Sequence, residues 1–192
     1  VTDRFIDWIR HGEPAQGGRF RGDREDPLTA EGWTQLRRMT DRDPGWTQVI
    51  SAPARRCRAF AEVFAAEQGL PLVCRSDLAE RGFGDWEGQR ADELPLADLE
   101  RLWTDPVGFT PPGAEPFLAF QARVRVAWNE LCAEDTPYPL VFTHGGVIRV
   151  ILGEVLALSA EALLRIEVPY ACRTRLRLPD AGYPSLMTHG PC

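Results

Sequence analysis

A chain of 192 residues with 44% hydrophobic and 26% charged residues fits one globular domain of ordinary size, with a core that removes roughly 70% of its unfolded surface from water. Its 22 basic and 28 acidic residues give a net charge of −6 and a pI near 5.2, a surface that repels phosphate backbones and anionic lipid, so neither nucleic acid nor membrane is an expected partner. Every basic residue is an arginine, which excludes a Walker P-loop, a Schiff-base enzyme and a pyridoxal phosphate enzyme, each of which needs a lysine.

In chain order, residues 5–9 are a short aromatic and β-branched run that reads as a buried strand ending near Arg10. Residues 15–27, rich in Gly, Arg and Asp, read as a surface loop. A helix is predicted from Thr29, as its N-cap, to about Met39, with Asp43-Pro44-Gly45 as the stop. Residues 48–51 form a second strand. Cys57, Phe60, Ala61, Phe64 and Ala65 recur at helical spacing within residues 54–68, so a helix buries that face and Gly69 closes it. A third strand is predicted at 70–74.

The strand–helix alternation breaks over residues 85–139, where two helical patterns flank a Pro- and Gly-rich stretch at 105–116. This segment is expected to be a helical excursion over one face of the sheet. Residues 140–143 resume as a strand, 147–156 as a helix and 174–178 as an edge-like strand, while 180–192 reads as a loose C-terminal tail. The pattern predicts an α/β fold: a three-layer α/β/α sandwich with a largely parallel central sheet, one domain over residues 1–179. The five cysteines (Cys57, Cys74, Cys132, Cys172, Cys192) show no metal-ligand spacing and are expected to be free thiols. Without a leader-like N-terminus or an apolar run of about 18 residues, a cytoplasmic location is expected.

Chemistry concentrates where two apolar strands end alike. The first runs into Arg10-His11-Gly12-Glu13 and the later one into Thr143-His144-Gly145-Gly146. Ligand sites of open α/β sheets lie beyond the carboxyl ends of the strands, so the two imidazoles converge if those strands are neighbours. The following glycines let backbone amides approach a ligand closely. One histidine on an apolar strand is usually a core residue; two at matched strand ends point to a site.

Four ordered blocks carry a family likeness over about residues 4–178: Arg10-His11-Gly12-Glu13; Asp26-Pro27-Leu28-Thr29 with Gly32, followed by Pro53, Arg56 and Cys57; Leu78 and Glu80 with Phe83-Gly84 and Trp86-Glu87-Gly88; and Thr143-His144-Gly145-Gly146-Val147-Ile148-Arg149. In these the chain resembles the histidine phosphatase superfamily, its phosphoglycerate mutase-like branch, and most of all the α-ribazole phosphatases. The resemblance implies the phosphoglycerate mutase-like sandwich and a metal-independent phosphomonoesterase without cofactor, acting on a small-molecule phosphate ester such as α-ribazole 5′-phosphate. His11 is then the nucleophile, Glu80 the general acid and base, and Arg10, Arg56 and His144 the positive clamp. Gly145, Arg21, Arg81 and Glu115 are weaker candidates for phosphate or substrate contact. Arg55 competes with Arg56 for the second clamp position, and the alignment of Pro53 and Cys57 favours Arg56. Pro116 stands where relatives often carry a serine. Two other readings stay open: a phosphoglycerate mutase or sugar bisphosphatase, and a non-catalytic phosphoryl-binding module. A homodimer is also left open. No G-x-S-x-G motif and no cysteine with an arginine six residues later is present, so serine hydrolase and cysteine phosphatase chemistries are excluded.

Overall fold

The computed structural model describes residues 3–42 and 44–190. Asp43 of the expected helix stop and the fifth cysteine, Cys192, lie outside the described residues. The elements run β1 (Arg4–Arg10), α1 (Ala30–Thr40), β2 (Gln48–Ser51), α2 (Arg55–Gln68), β3 (Leu72–Cys74), α3 (Leu96–Thr104), α4 (Phe117–Ala133), β4 (Pro139–Thr143), α5 (Gly145–Leu156), β5 (Arg173–Leu178) and β6 (Ser185–Gly190). Short 3₁₀ turns join β3 to α3 and follow α5.

Local chemistry accounts for the helix ends. The Thr29 hydroxyl accepts from Gly32 N at 3.0 Å and caps α1. At the end of α2, Gly69 adopts the left-handed conformation, with φ 66°, and its N–H returns to the last turn.

The six strands order as β3-β2-β4-β1-β5-β6. The first four are mutually parallel, and β5 and β6 are antiparallel. β1 and β4 lie side by side at the centre, with Arg10 opposite Thr143, so His11 and His144 leave the sheet together at the carboxyl ends of neighbouring strands. On one face Phe60 and Phe64 of α2 meet Phe142 edge-on, and Trp33 of α1 packs on Phe60. On the other, Trp8 of β1 meets Trp128 of α4, and α4 packs beside α5. These faces complete the three layers.

Three expectations are corrected. Residues 185–190 are a strand, because Ser185–Gly190 pairs antiparallel with β5, and β5 is therefore an interior strand instead of an edge. The segment 85–139 divides. Phe117, Phe120, Val124, Ala127 and Trp128 of α4 bury in the main core, whereas Trp86, Leu99, Leu102 and Phe109 build a separate small cluster. Only the stretch before α4 is an excursion; α4 itself belongs to the sandwich. No described helix is long and apolar enough to cross a membrane.

Candidate active site

His11 is buried, and its ring lies 5.4 Å from that of His144, edge to face. Its Nδ1 is 2.8 Å from the carbonyl oxygen of Gly12. A carbonyl only accepts, so Nδ1 carries the proton and Nε2 keeps a free lone pair. Burial first, then the positive charges of Arg56 and Arg10, holds the His11 pKa well below its usual 6.5. His144, fully buried at the N-terminus of α5, is lowered in the same way by burial and then by Arg56, His11 and Arg10. Both imidazoles are neutral at neutral pH. Cys57 Sγ sits 3.7 Å from His144 Nε2, and burial pushes its thiol up to about 12, so it packs there as a neutral group.

Two guanidinium groups surround this pair. Arg56 is wholly buried and donates to the carbonyl oxygens of Arg24 at 2.6 Å and Gly22 at 3.0 Å. Arg10 donates to Val168 O at 2.5 Å and lies over the ring of Tyr170, 4.3 Å from its centroid. Among the described residues neither has a carboxylate within ion-pair distance, and the Nε of each is buried without a hydrogen-bond partner. Burial lowers the Arg10 pKa from its usual value without approaching neutrality in physical terms, since guanidinium stays charged in proteins. A buried and a half-buried cation, hydrogen-bonded only to carbonyls and with donors to spare, form a receptor for an anion. Arg55 instead sits exposed, its backbone N–H bonded to Glu25.

Glu80 closes the group from the loop after β3. Thr143 Oγ1 donates to Leu78 O at 3.0 Å, tying that loop to β4. The Glu80 carboxylate accepts from Arg81 N and from Gly146 N, each at 3.0 Å, which sets it against the first turn of α5, two residues beyond His144. A Cβ at Gly146 would overlap Glu80 Oε1, so this approach requires glycine. Glu87 Oε1 accepts from Gly22, Asp23 and Phe83 N–H groups and locks the loop bearing the Arg56 acceptors to the loop bearing Glu80.

The weaker candidates separate by geometry. Gly145 begins α5 with Arg10 Nε close to where its Cβ would stand. Arg21 is buried and held by Asp26 at 2.7 Å and by the carbonyls of Ala15 and Gln16, although its charge still reaches His11. Arg81 is buried, donates to Glu115 O at 2.8 Å and leaves one Nη2 unpartnered. Glu115 is not brought to the cluster: its carboxylate pairs with Arg123 at 2.8 Å. Sequence reasoning passed over Arg123, which also donates to Asp77 O and Ala79 O at 2.9 Å and so supports the turn before Glu80. It also passed over Tyr170, under Arg10, and Arg149, whose Nε donates to Ile166 O at 2.9 Å. Of these, only Arg149 carried a signal, as the last residue of the fourth block.

Beside Glu80 and Gly146 opens a cavity of about 280 Å³ walled by Phe83, Phe117, Phe120, Leu102, Trp103 and Leu163, among others, with Arg81 and Arg149 as its cations.

The parallel part of the sheet thus brings two neutral histidines, two arginines without an acidic partner and one carboxylate together at the carboxyl ends of β1 and β4. The sequence profile of the histidine phosphatase superfamily (branch 1) matches residues 6–188, and the chain belongs to that superfamily. The adenosylcobalamin/alpha-ribazole phosphatase of Escherichia coli (strain K12) is 30% identical over 173 residues, 85% of each chain. The bifunctional protein Rv2228c of Mycobacterium tuberculosis is 30% identical over 171 residues, 85% of this chain, which spans only about half (47%) of that relative's length. The crystal structure of the alpha-ribazole phosphatase from Shigella flexneri superposes with a TM-score of 0.83 at 24% identity, covering 97% of this chain and 96% of that one, a likeness of fold.

Proposed function

We propose that the protein is a phosphomonoesterase that works through a phosphohistidine on His11, with arginine in place of a metal ion as the source of positive charge. The observation that carries this reading is the 2.8 Å bond from His11 Nδ1 to Gly12 O, which leaves Nε2 unprotonated beside the cations of Arg10 and Arg56. The Nε2 lone pair attacks phosphorus as the ester P–O bond breaks. Arg10, Arg56 and a His144 N–H take the charge of the equatorial oxygens. Glu80, protonated, gives its proton to the departing alkoxide; one of its oxygens exchanges a backbone donor for the leaving group. The resulting carboxylate then removes a proton from water, which attacks phosphorus, and the P–N electrons return to Nε2.

The substrates are small phosphate esters, and the relatives named above make α-ribazole 5′-phosphate the first physiological substrate to try. The buried thiols of Cys57 and Cys172 are free, which suits a reducing cytoplasm. The test is phosphate release from a panel of esters by chelator-treated enzyme, with His11→Ala beside it and the labelled protein trapped by rapid quench. Wild type is expected to turn over and to carry an acid-labile, alkali-stable phosphoryl group; His11→Ala is expected to do neither. Turnover near wild type in His11→Ala, or a loss on chelation that metal restores, overturns the reading.

A further inference from the structure

The cavity beside Glu80 shares two residues, Glu80 and Gly146, with the reacting centre, and none of His11, Arg10, Arg56 or His144 lines it. Glu80 also lines a second, polar hollow with Asp23, Glu115 and Arg123, but of the two only the first cavity includes Gly146, two residues beyond His144, which places it on the side where the alcohol departs. Its walls are mainly aromatic and aliphatic, and its volume of about 280 Å³ is just below the roughly 300–1,000 Å³ typical of small-molecule sites, enough for one or two fused rings. The polar groups on it are few. Arg81, with its unpartnered Nη2, lies over the faces of Phe83 and Phe117 at 5.9 and 5.8 Å, and Arg149 faces it from α5. A hydroxyl-rich sugar or a glycerate in this space would lose its water hydrogen bonds against Phe117, Phe120 and Leu163 with two side-chain cations as the main donors in return.

Resting on the phosphatase reading above, we propose that this cavity is the leaving-group subsite and that it selects phosphate esters whose alcohol carries a planar, largely apolar ring system. Ring burial against such walls converts directly into transition-state binding, because the alcohol stays seated while the P–O bond breaks.

The experiment compares 2-(1-naphthyl)ethyl phosphate with ethyl phosphate, two primary alkyl esters whose leaving alcohols are close in basicity and which differ in the ring. The expected kcat/KM ratio is at least about 30 in favour of the naphthyl ester, from the area that an aromatic ring buries. Leu164→Glu and Trp103→Glu each place a carboxylate on the cavity wall at a half-exposed position, 38% and 54% exposed, where the fold tolerates it, and each is expected to cut that ratio by about tenfold. Brisk turnover of both esters with a ratio near one overturns the subsite and leaves the phosphatase standing, as does a ratio that neither variant moves. Failure to hydrolyse any ester, p-nitrophenyl phosphate included, overturns the phosphatase reading and the subsite with it.

Discussion

Strand β1 and the residue just past its end carry two polar clusters four residues apart, built on opposite plans. Asp7, with no exposed surface, accepts from Trp46 Nε1 at 2.9 Å, Tyr138 OH at 3.2 Å and Arg175 at 2.9 and 3.1 Å, and pairs with Arg173 at 3.2 Å. One carboxylate answers two arginines, so each of these cations has an acidic partner within the protein. Around His11 the same side-chain type stands without an acid: Arg10, half-buried, and Arg56, buried, rest on carbonyl oxygens and keep an unpartnered Nε. A closed ion pair supports the fold, whereas an open one is a receptor whose missing charge arrives with the ligand.

The largest effect should come from emptying the open cluster. Arg56→Met should lower kcat/KM by about 10³-fold, the scale of losing a charge clamp on a transferring phosphoryl group. It should leave the melting temperature unchanged or higher, because a buried cation without an acid goes with it. Kinetics and a thermal melt on one preparation check this; a large fall in stability with activity intact would make Arg56 a second Asp7. The mirror experiment is Asp7→Ala, which strands two partly buried guanidinium groups. It should cost about 3 kcal/mol in denaturant unfolding while kcat/KM measured well below the melt changes little.

The smallest effect is in pH. His11 and His144 are held neutral far below 6.5 in the folded protein, whereas in the unfolded chain they take up protons near 6.5. Between those values the unfolded state binds more protons, so stability is complete above about pH 6.5 and falls as the pH drops below it. The slope is at most about 1.4 kcal/mol per pH unit for each histidine. A His11→Gln, His144→Gln double variant should flatten the slope of unfolding free energy against pH; an unchanged slope would mean that burial and the neighbouring cations do not hold these imidazoles neutral.

Much of this was legible in the residues because the governing interactions are local. The buried face of α2 follows the spacing of Cys57, Phe60, Ala61, Phe64 and Ala65, and the Thr29 cap needs only Gly32. β6 was not legible. Ser185–Gly190 lacks a clean alternation and is nowhere fully buried, so its strand character comes from β5 alone. Arg123 escaped notice because an arginine on α4 looks like a solvated charge until the fold brings residues 77–80 and 115 around it.

By itself, then, the sequence determined the layered α/β plan and the two histidines at matched strand ends, since periodicity, caps and strand-end glycines act over a few residues. Only the tertiary structure decided which arginines are answered by acids and which are left open, and that the cavity shared by Glu80 and Gly146 has mainly apolar walls. Those properties depend on segments distant in sequence: Asp7 meets Arg175 on the neighbouring strand, 168 residues away, and Glu80 meets Gly146, 66 residues away. Burial then makes each such match or mismatch count, because inside the protein a charge has no water to fall back on.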